Sequence, residues 1–395
     1  VFTTSNTSSD PDHSDWLLAK EGDTVTLSFT TDERVENVEV MINRTSYSAT
    51  DDGDGTSWTV EHTVSSGEDV EEVEFEITSF NDPSGNALQS LQSRTHDDSS
   101  MLVRVDTTPP QLVAQSVKLV STNANDSTTH AKPGDDLTLS FQFDEPVSTP
   151  EVELAGVGNA DLQLTPNADK TEWQAVHTVA DGDPEGAVTF SVVFHDPAGN
   201  DGVSVTTEDT DDQITIDTTR PQVLASSVKI TSSNLNPATG QLKWAKANET
   251  IILQFDTAEP VFEPKVHLNS SEVTAQLRNE DSSGMKWEAQ VQVDAQEPSG
   301  GVQWAFKSMT DAAGNTFDMA AAPDATVDGS TVEIDTKAPK LSIVTLASDN
   351  PNPLGQPGYL ARAGDQITLR VESSEPLHTL ALRGSEGQST SLEAE

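Results

Sequence analysis

The chain has 395 residues, enough for about two or three globular domains with separate cores, and its 66 acidic against 21 basic residues give a formal charge of −45. That charge repels nucleic acid and anionic membrane surfaces, and the absence of cysteine excludes disulfides, zinc–thiolate sites and cysteine nucleophiles. No apolar run approaches the roughly 20 residues of a membrane helix, so no direct membrane insertion is expected in this segment.

The elements repeat in one phase. A strand-like segment opens with Gly22-Asp23 and runs through Leu27, and it returns from Gly134-Asp135, Asn248-Glu249 and Gly364-Asp365, at offsets of 112, 114 and 116 residues. Apolar and polar residues alternate at period two in each copy, the pattern of a strand with one buried face. A cation after an alanine precedes each one: Lys20, Lys132, Lys246 and Arg362. Asn248 stands where the other copies have glycine, which marks a turn position with positive φ. Six residues after the core leucine comes Glu33, Glu145, Glu259 or Glu375, and proline follows the last three, so the strand must stop there.

Further along each copy, Trp58, Trp173 or Trp287 opens another alternating strand. A later strand ends in Asp82-Pro-Ser-Gly-Asn86, Asp196-Pro-Ala-Gly-Asn200 or Asp311-Ala-Ala-Gly-Asn315, turn sequences whose Gly-Asn pair tolerates left-handed backbone. The unit closes on a strand leading to Asp106-Thr-Thr-Pro109, Asp217-Thr-Thr-Arg-Pro221 or Asp335-Thr-Lys-Ala-Pro339. These junctions divide the chain into repeats over 1–108, 109–219, 220–337 and 338–395, with the first cut at its start and the last cut before its tryptophan strand. Each full repeat reads as about seven short strands in roughly 110 residues without helical periodicity. The expected fold is therefore all-β, a tandem array of seven-stranded immunoglobulin-like sandwiches. In the second repeat the strands are placed near 113–121, 136–143, 151–155, 161–164, 172–179, 187–194 and 213–216.

Together the Ala-Lys-x-Gly-Asp strand start, the Glu-Pro, the Trp strand, the Asp-x-Ala-Gly-Asn turn and the Asp-Thr-Thr junction resemble the bacterial-type immunoglobulin-like repeats of giant surface adhesins and related extracellular stalk proteins. The resemblance covers essentially the whole chain. It implies a stalk that projects a binding tip from a cell surface, with calcium held where domains meet. The chain departs from antibody-type domains in lacking the cysteine pair, and its recurrent tryptophan falls on a later strand.

Topology places the carboxylates independently. In a sandwich of this kind the loops after the second and sixth strands lie at the end facing the preceding domain. Asp106, Glu145 and Asp196, with Asn200, are therefore expected to converge at one junction, and Asp217, Glu259 and Asp311, with Asn315, at the next. Glu33, Asp82, Asp335 and Glu375 hold the same repeat positions. Oxygen donors from two domains suit Ca²⁺, which takes six to eight ligands in loose geometry, better than magnesium. The bland alternative for any single aspartate is a turn cap.

Other motifs carry less. Asp51-Asp-Gly-Asp-Gly55 with Glu61 approaches an EF-hand loop but lacks its first aspartate and both helices, so it reads as a hairpin turn. The phased tryptophans read as core, whereas Trp16, Trp244 and Trp304 do not recur and are open to surface roles. His62 and His177 lie four residues after the tryptophan, where the third copy has Val291, so they read as packing histidines rather than catalytic bases. Sequons stand at Asn6, Asn43, Asn125, Asn248 and Asn269. With no nucleophile elbow, phosphate loop or zinc-protease motif, the expected function is non-catalytic. It is a structural or adhesive segment of an extracellular, cell-surface protein whose partners are neighbouring repeats and a surface or matrix ligand. The alternative is a ligand- or carbohydrate-binding module, which an exposed aromatic cluster in one repeat would favour.

Overall fold

A computed structural model describes residues 1–9, 14–87, 91–92, 102–126, 129–207, 213–235, 242–279, 281–350, 361–377, 380–383 and 389–392. The chain is all-β: among the described residues, the only helical elements are two three-residue 3₁₀ turns, Ala225–Ser227 and Met319–Ala321. It divides into two compact units. The first holds residues 1–220 with 310–316, the second 221–309 with 317–395.

In the first unit, strand Asp136–Gln142 lies between Lys118–Ser121 and Glu172–Thr178, with Gln163–Pro166 on the outer edge. All of these pairs are antiparallel. The register sets Phe141 opposite Trp173 and Leu139 opposite Ala175. Strand Asp136–Gln142 buries every second residue, as period-two patterning requires. The facing layer is made of two short sheets. One is Val157–Gly158, Glu151–Leu154 and Phe190–Val193; the other is His130–Ala131, Thr215–Ile216 and Gly186–Ala187. The same four-strand sheet recurs in the first unit through Phe2–Thr4, Thr24–Thr30, Ser57–Thr63 and Thr50–Asp51. In the second unit it recurs through Lys229–Ser232, Thr250–Asp256, Lys286–Gln292 and Gln276–Leu277. Residues 341–348 and 367–373 pair there as a two-stranded sheet.

Buried residues gather into three cores, drawn from Phe2 to Val105, Val117 to Ile216 and Val228 to Ile334. Trp58, Trp173 and Trp287 are all buried in them. The indole N–H of Trp173 donates to the Lys170 carbonyl at 3.0 Å, and that of Trp287 to the Gly284 carbonyl at 3.1 Å.

Two differences from the sequence reading matter. The first strand of the second repeat begins at Lys118 rather than near 113, because Gln115 takes positive φ in a turn and leaves only an isolated bridge from Leu112 to Phe143. A further strand precedes the Lys-x-Gly-Asp turn: His130–Ala131 pairs in parallel with Thr215–Ile216, as do Leu242–Ala245 with Thr331–Ile334 and Trp16–Ala19 with Leu102–Val105. Asn248 does adopt the left-handed backbone of its glycine counterparts, at φ 68 against 84, 90 and 97 for Gly22, Gly134 and Gly364.

Candidate metal centre

The Asp-x-x-Gly-Asn loop builds its own scaffold. After strand Phe190–Val193, Gly199 turns the chain at φ 88, and its N–H donates back to the Asp196 carbonyl at 3.1 Å. The Asn200 backbone N–H donates to Asp196 Oδ1 at 2.9 Å and its side-chain amide to Oδ2 at 2.7 Å. Asp196 is fully buried. The amide nitrogen of Asn200 also donates to the Asp106 carbonyl at 2.8 Å. Asn200 thus enters the group through a donor that ties the loop to the preceding strand end, whereas a cation would need its amide oxygen.

Glu145 and Asp106 complete the group. Glu145 leaves strand Asp136–Gln142 at Pro146, while Asp106 follows strand Leu102–Val105, its own N–H held by the Ala19 carbonyl at 2.9 Å. One carboxylate oxygen from each of Asp106, Glu145 and Asp196 lies within 4.8 Å of the others. Among the described residues a cation in reach is Arg104, whose guanidinium stands 3.7 Å from Asp106. Burial, and then the negative charges of Asp106 and Asp196, push the Glu145 carboxyl up from 4.5 to about 7. Burial also raises Asp106, with the Asp196 charge adding to it against the Thr108 N–H. Three carboxylates this close, half or fully buried, are costly to hold ionised together, and binding of a proton or a divalent cation lowers that cost.

The next junction offers independent evidence from residues of the same unit. Asp217 and Asp311 again present carboxylate oxygens within 4.8 Å, and the Asn315 amide donates to the Asp217 carbonyl at 2.9 Å. Asp311 is buried, its Oδ1 accepts the Asn315 N–H at 2.9 Å, and its Oδ2 has no hydrogen-bond partner among the described residues. Burial raises Asp217 as well, with the Asp311 charge contributing. A buried carboxylate oxygen facing another anion without a donor is expensive. An oxygen-seeking cation is the kind of partner that removes the cost. Glu259 holds the position of Glu145 in the second unit, where its carbonyl accepts from Thr257 Oγ1 at 2.6 Å.

The remaining expected ligands divide between the first repeat and the second unit. Glu33 is exposed, and Asp82 accepts from the N–H groups of Ser84 and Asn86 and from the Asn86 amide, as Asp196 does from Asn200, but without the full burial of Asp196. Asp335 and Glu375 line one cavity in the second unit. The EF-hand-like loop is a hairpin turn: Asp51 accepts from Gly53 and Gly55, and Asp54 from Thr56 and Ser57.

Sequence reasoning passed over the residues that brace the junction. Asp69 accepts from the Thr107 N–H and hydroxyl at 2.7 and 2.9 Å and from the Thr108 hydroxyl at 3.0 Å. Glu185 does the same for Thr218 and Thr219, the latter at 2.5 Å. The Thr-Thr pair after the junction aspartate is therefore a clamp on a carboxylate from the same repeat. His62 and His177 are buried and bonded to Glu68 and Asp183 at 2.7 and 2.6 Å.

No protein-family model and no curated protein matches the chain. Among solved structures it is similar to the three titin immunoglobulin domains I67–I69, an E-to-A variant, with 10% identity, 85% of this chain and 99% of that chain covered, and a TM-score of 0.36. It is also similar to the titin I9–I11 tandem, at 10% identity, 85% and 98% coverage and a TM-score of 0.26. A marsupial T cell receptor gives 11%, 82%, 100% and 0.31.

Proposed function

We propose that this chain is a calcium-stiffened, non-catalytic stalk segment of a large adhesin-like protein on the cell surface. The observation that carries the reading is the convergence of Asp106, Glu145 and Asp196 within 4.8 Å, one of them fully buried, where one repeat meets the next. The donors are all hard oxygens from three separate segments, a set that suits a large cation of flexible geometry. An ion bound there ties the strand end of one repeat to two loops of its neighbour and fixes the angle between them. Repetition of one fold with the same polar junction suits reach and spacing, and extracellular calcium is abundant enough to fill even weak sites.

Isothermal titration with calcium tests the reading directly. The parent is expected to bind at the Asp106 junction, and Glu145→Gln combined with Asp196→Asn is expected to lose that site alone. A parent that takes up no calcium, or a double variant that binds like the parent, overturns it.

A carbohydrate-binding role rests on a different place. In the second unit Trp244, 39% exposed, lines a cavity of about 760 Å³ with Glu333, Asp335, Lys337, Lys340 and Glu375. An indole face ringed by charged hydrogen-bonding groups suits a sugar ring. On this reading, Trp244→Ala abolishes retention on a glycan array while leaving the melting curve unchanged; an unchanged array profile rejects it.

A further inference from the structure

The junctions hold a second device that uses no carboxylate triad. In the first repeat Asn6 donates through its amide to Asp23 Oδ2 at 2.7 Å, and the Lys20 N–H donates to the same oxygen at 2.8 Å. The Asn6 amide also donates to the Ala198 carbonyl at 3.0 Å, and Lys20 Nζ donates to the Gly199 carbonyl. Ala198 and Gly199 form the tip of the next repeat's Asp-x-x-Gly-Asn loop. The second repeat repeats the arrangement. Asn123 donates to Asp135 Oδ2 at 2.7 Å and to the Ala313 carbonyl at 2.8 Å, while the Lys132 N–H donates to Asp135 Oδ2 at 2.9 Å. Asn123 and Asp135 are both buried.

We propose that this corner of Asn, Lys and acidic residue is a socket for the tip of a neighbouring repeat's Asp-x-x-Gly-Asn loop, and that it docks repeats in the absence of metal. The acid holds the asparagine amide and the lysine backbone in place. The second amide hydrogen of the asparagine, aided in the first repeat by the lysine ammonium, then faces outward to meet main-chain carbonyls. Recognition of backbone explains why the tip residues vary between Pro-Ser, Pro-Ala and Ala-Ala while the glycine does not. A Cβ on Gly199 would come within 2.9 Å of Ser8 Oγ and 3.4 Å of Lys20 Nζ, and one on Gly314 within 2.4 Å of Asn125 Nδ2. Those contacts are to side-chain ends that can move, but both glycines also sit at positive φ, so any side chain at the loop's point of closest approach is strained.

The socket is built within each repeat. Asn234 donates to Glu249 Oε2 and the Lys246 N–H to the same atom, both at 2.8 Å. Asn350 donates to Asp365 Oδ2, which also accepts the Arg362 N–H at 2.7 Å. Those copies are expected to receive loops of the same form.

The test uses the full chain. Because the sequence has no cysteine, Glu61→Cys and Gln174→Cys place two spin labels uniquely, one on an exposed strand position of each of the first two repeats. Pulsed electron resonance in chelator is expected to give a narrow distance distribution for the parent. Asn6→Ala and Lys20→Met should each shift the docked-to-undocked ratio by roughly three- to tenfold per hydrogen bond removed, and so broaden it. Lys20→Met keeps the backbone N–H that binds Asp23, so it should broaden the distribution without unfolding its repeat, with circular dichroism expected to be unchanged. Asn123→Ala, at the other junction, leaves this label pair unaffected. A parent as broad in chelator as the variants, or variants as narrow as the parent, overturns the socket. Calcium that narrows none of these distributions overturns the metal reading instead and leaves the socket standing.

Discussion

Chelation is expected to lower the melting temperature of the first two repeats at neutral pH, and added calcium to restore it. A ligand that binds only the folded form stabilises it by about 2.7 kcal/mol at a hundredfold excess over its dissociation constant. For a domain of this size each kcal/mol is worth roughly 4–8 °C, so one filled junction is readable by calorimetry. The pH dependence should invert between the two states. In the metal-free chain the folded Glu145 carboxyl titrates near 7 against its ordinary 4.5. Its contribution to stability is therefore full below pH 4.5 and is lost as pH rises to about 7. Calcium requires the ionised form, so the loaded chain gains over that same window. Chelated protein is thus expected to melt higher near about pH 5 than near about pH 7.5, and loaded protein the reverse. Identical melting of both samples at both pH values removes calcium from the junction.

Replacing Trp173 by alanine should destabilise the second repeat by about 3–5 kcal/mol, the usual cost of emptying a large aromatic from a core. Trp173 is 3% exposed, faces Phe141 across the sheet and satisfies its indole N–H locally. Among the described residues, no buried residue is shared between the three cores. Calorimetry of Trp173→Ala should consequently show one transition moved and the others in place. A uniform shift of every transition would mean that the repeats melt as one body.

The parts legible in the sequence are those whose signal is local and periodic. Alternation announced strand Asp136–Gln142 and its copies, and the phased tryptophans announced the core. The Glu-Pro and Asp-x-x-Gly-Asn loops could be placed because topology fixes which loops share an end of a sandwich. Strand His130–Ala131 escaped because two residues are too few to show a period. The socket asparagine escaped for another reason. It precedes its acid by 17, 12, 15 and 15 residues in successive copies, so no fixed register exposes it. Motif position brings Asn200 to the junction, while the partner of its amide nitrogen, the Asp106 carbonyl, depends on how the two repeats pack. Glu33 and Asp82 share the motif positions of Glu145 and Asp196 without their burial, since a motif specifies the loop but not what packs against it.

The junction at Asp106 divides its parts unevenly along the chain. The departing strand end and the socket belong to one repeat, while the glutamate and the Asp-x-x-Gly-Asn loop belong to the next. The second repeat, cut at its prolines, therefore carries one mating half at each end: Glu145 and its Asp-x-x-Gly-Asn loop at the start, Asn123 and Asp217 at the finish. Inserting or removing a copy shaped like the second repeat would leave matching halves facing each other. Chain length could then change by whole repeats without altering the groups that join them.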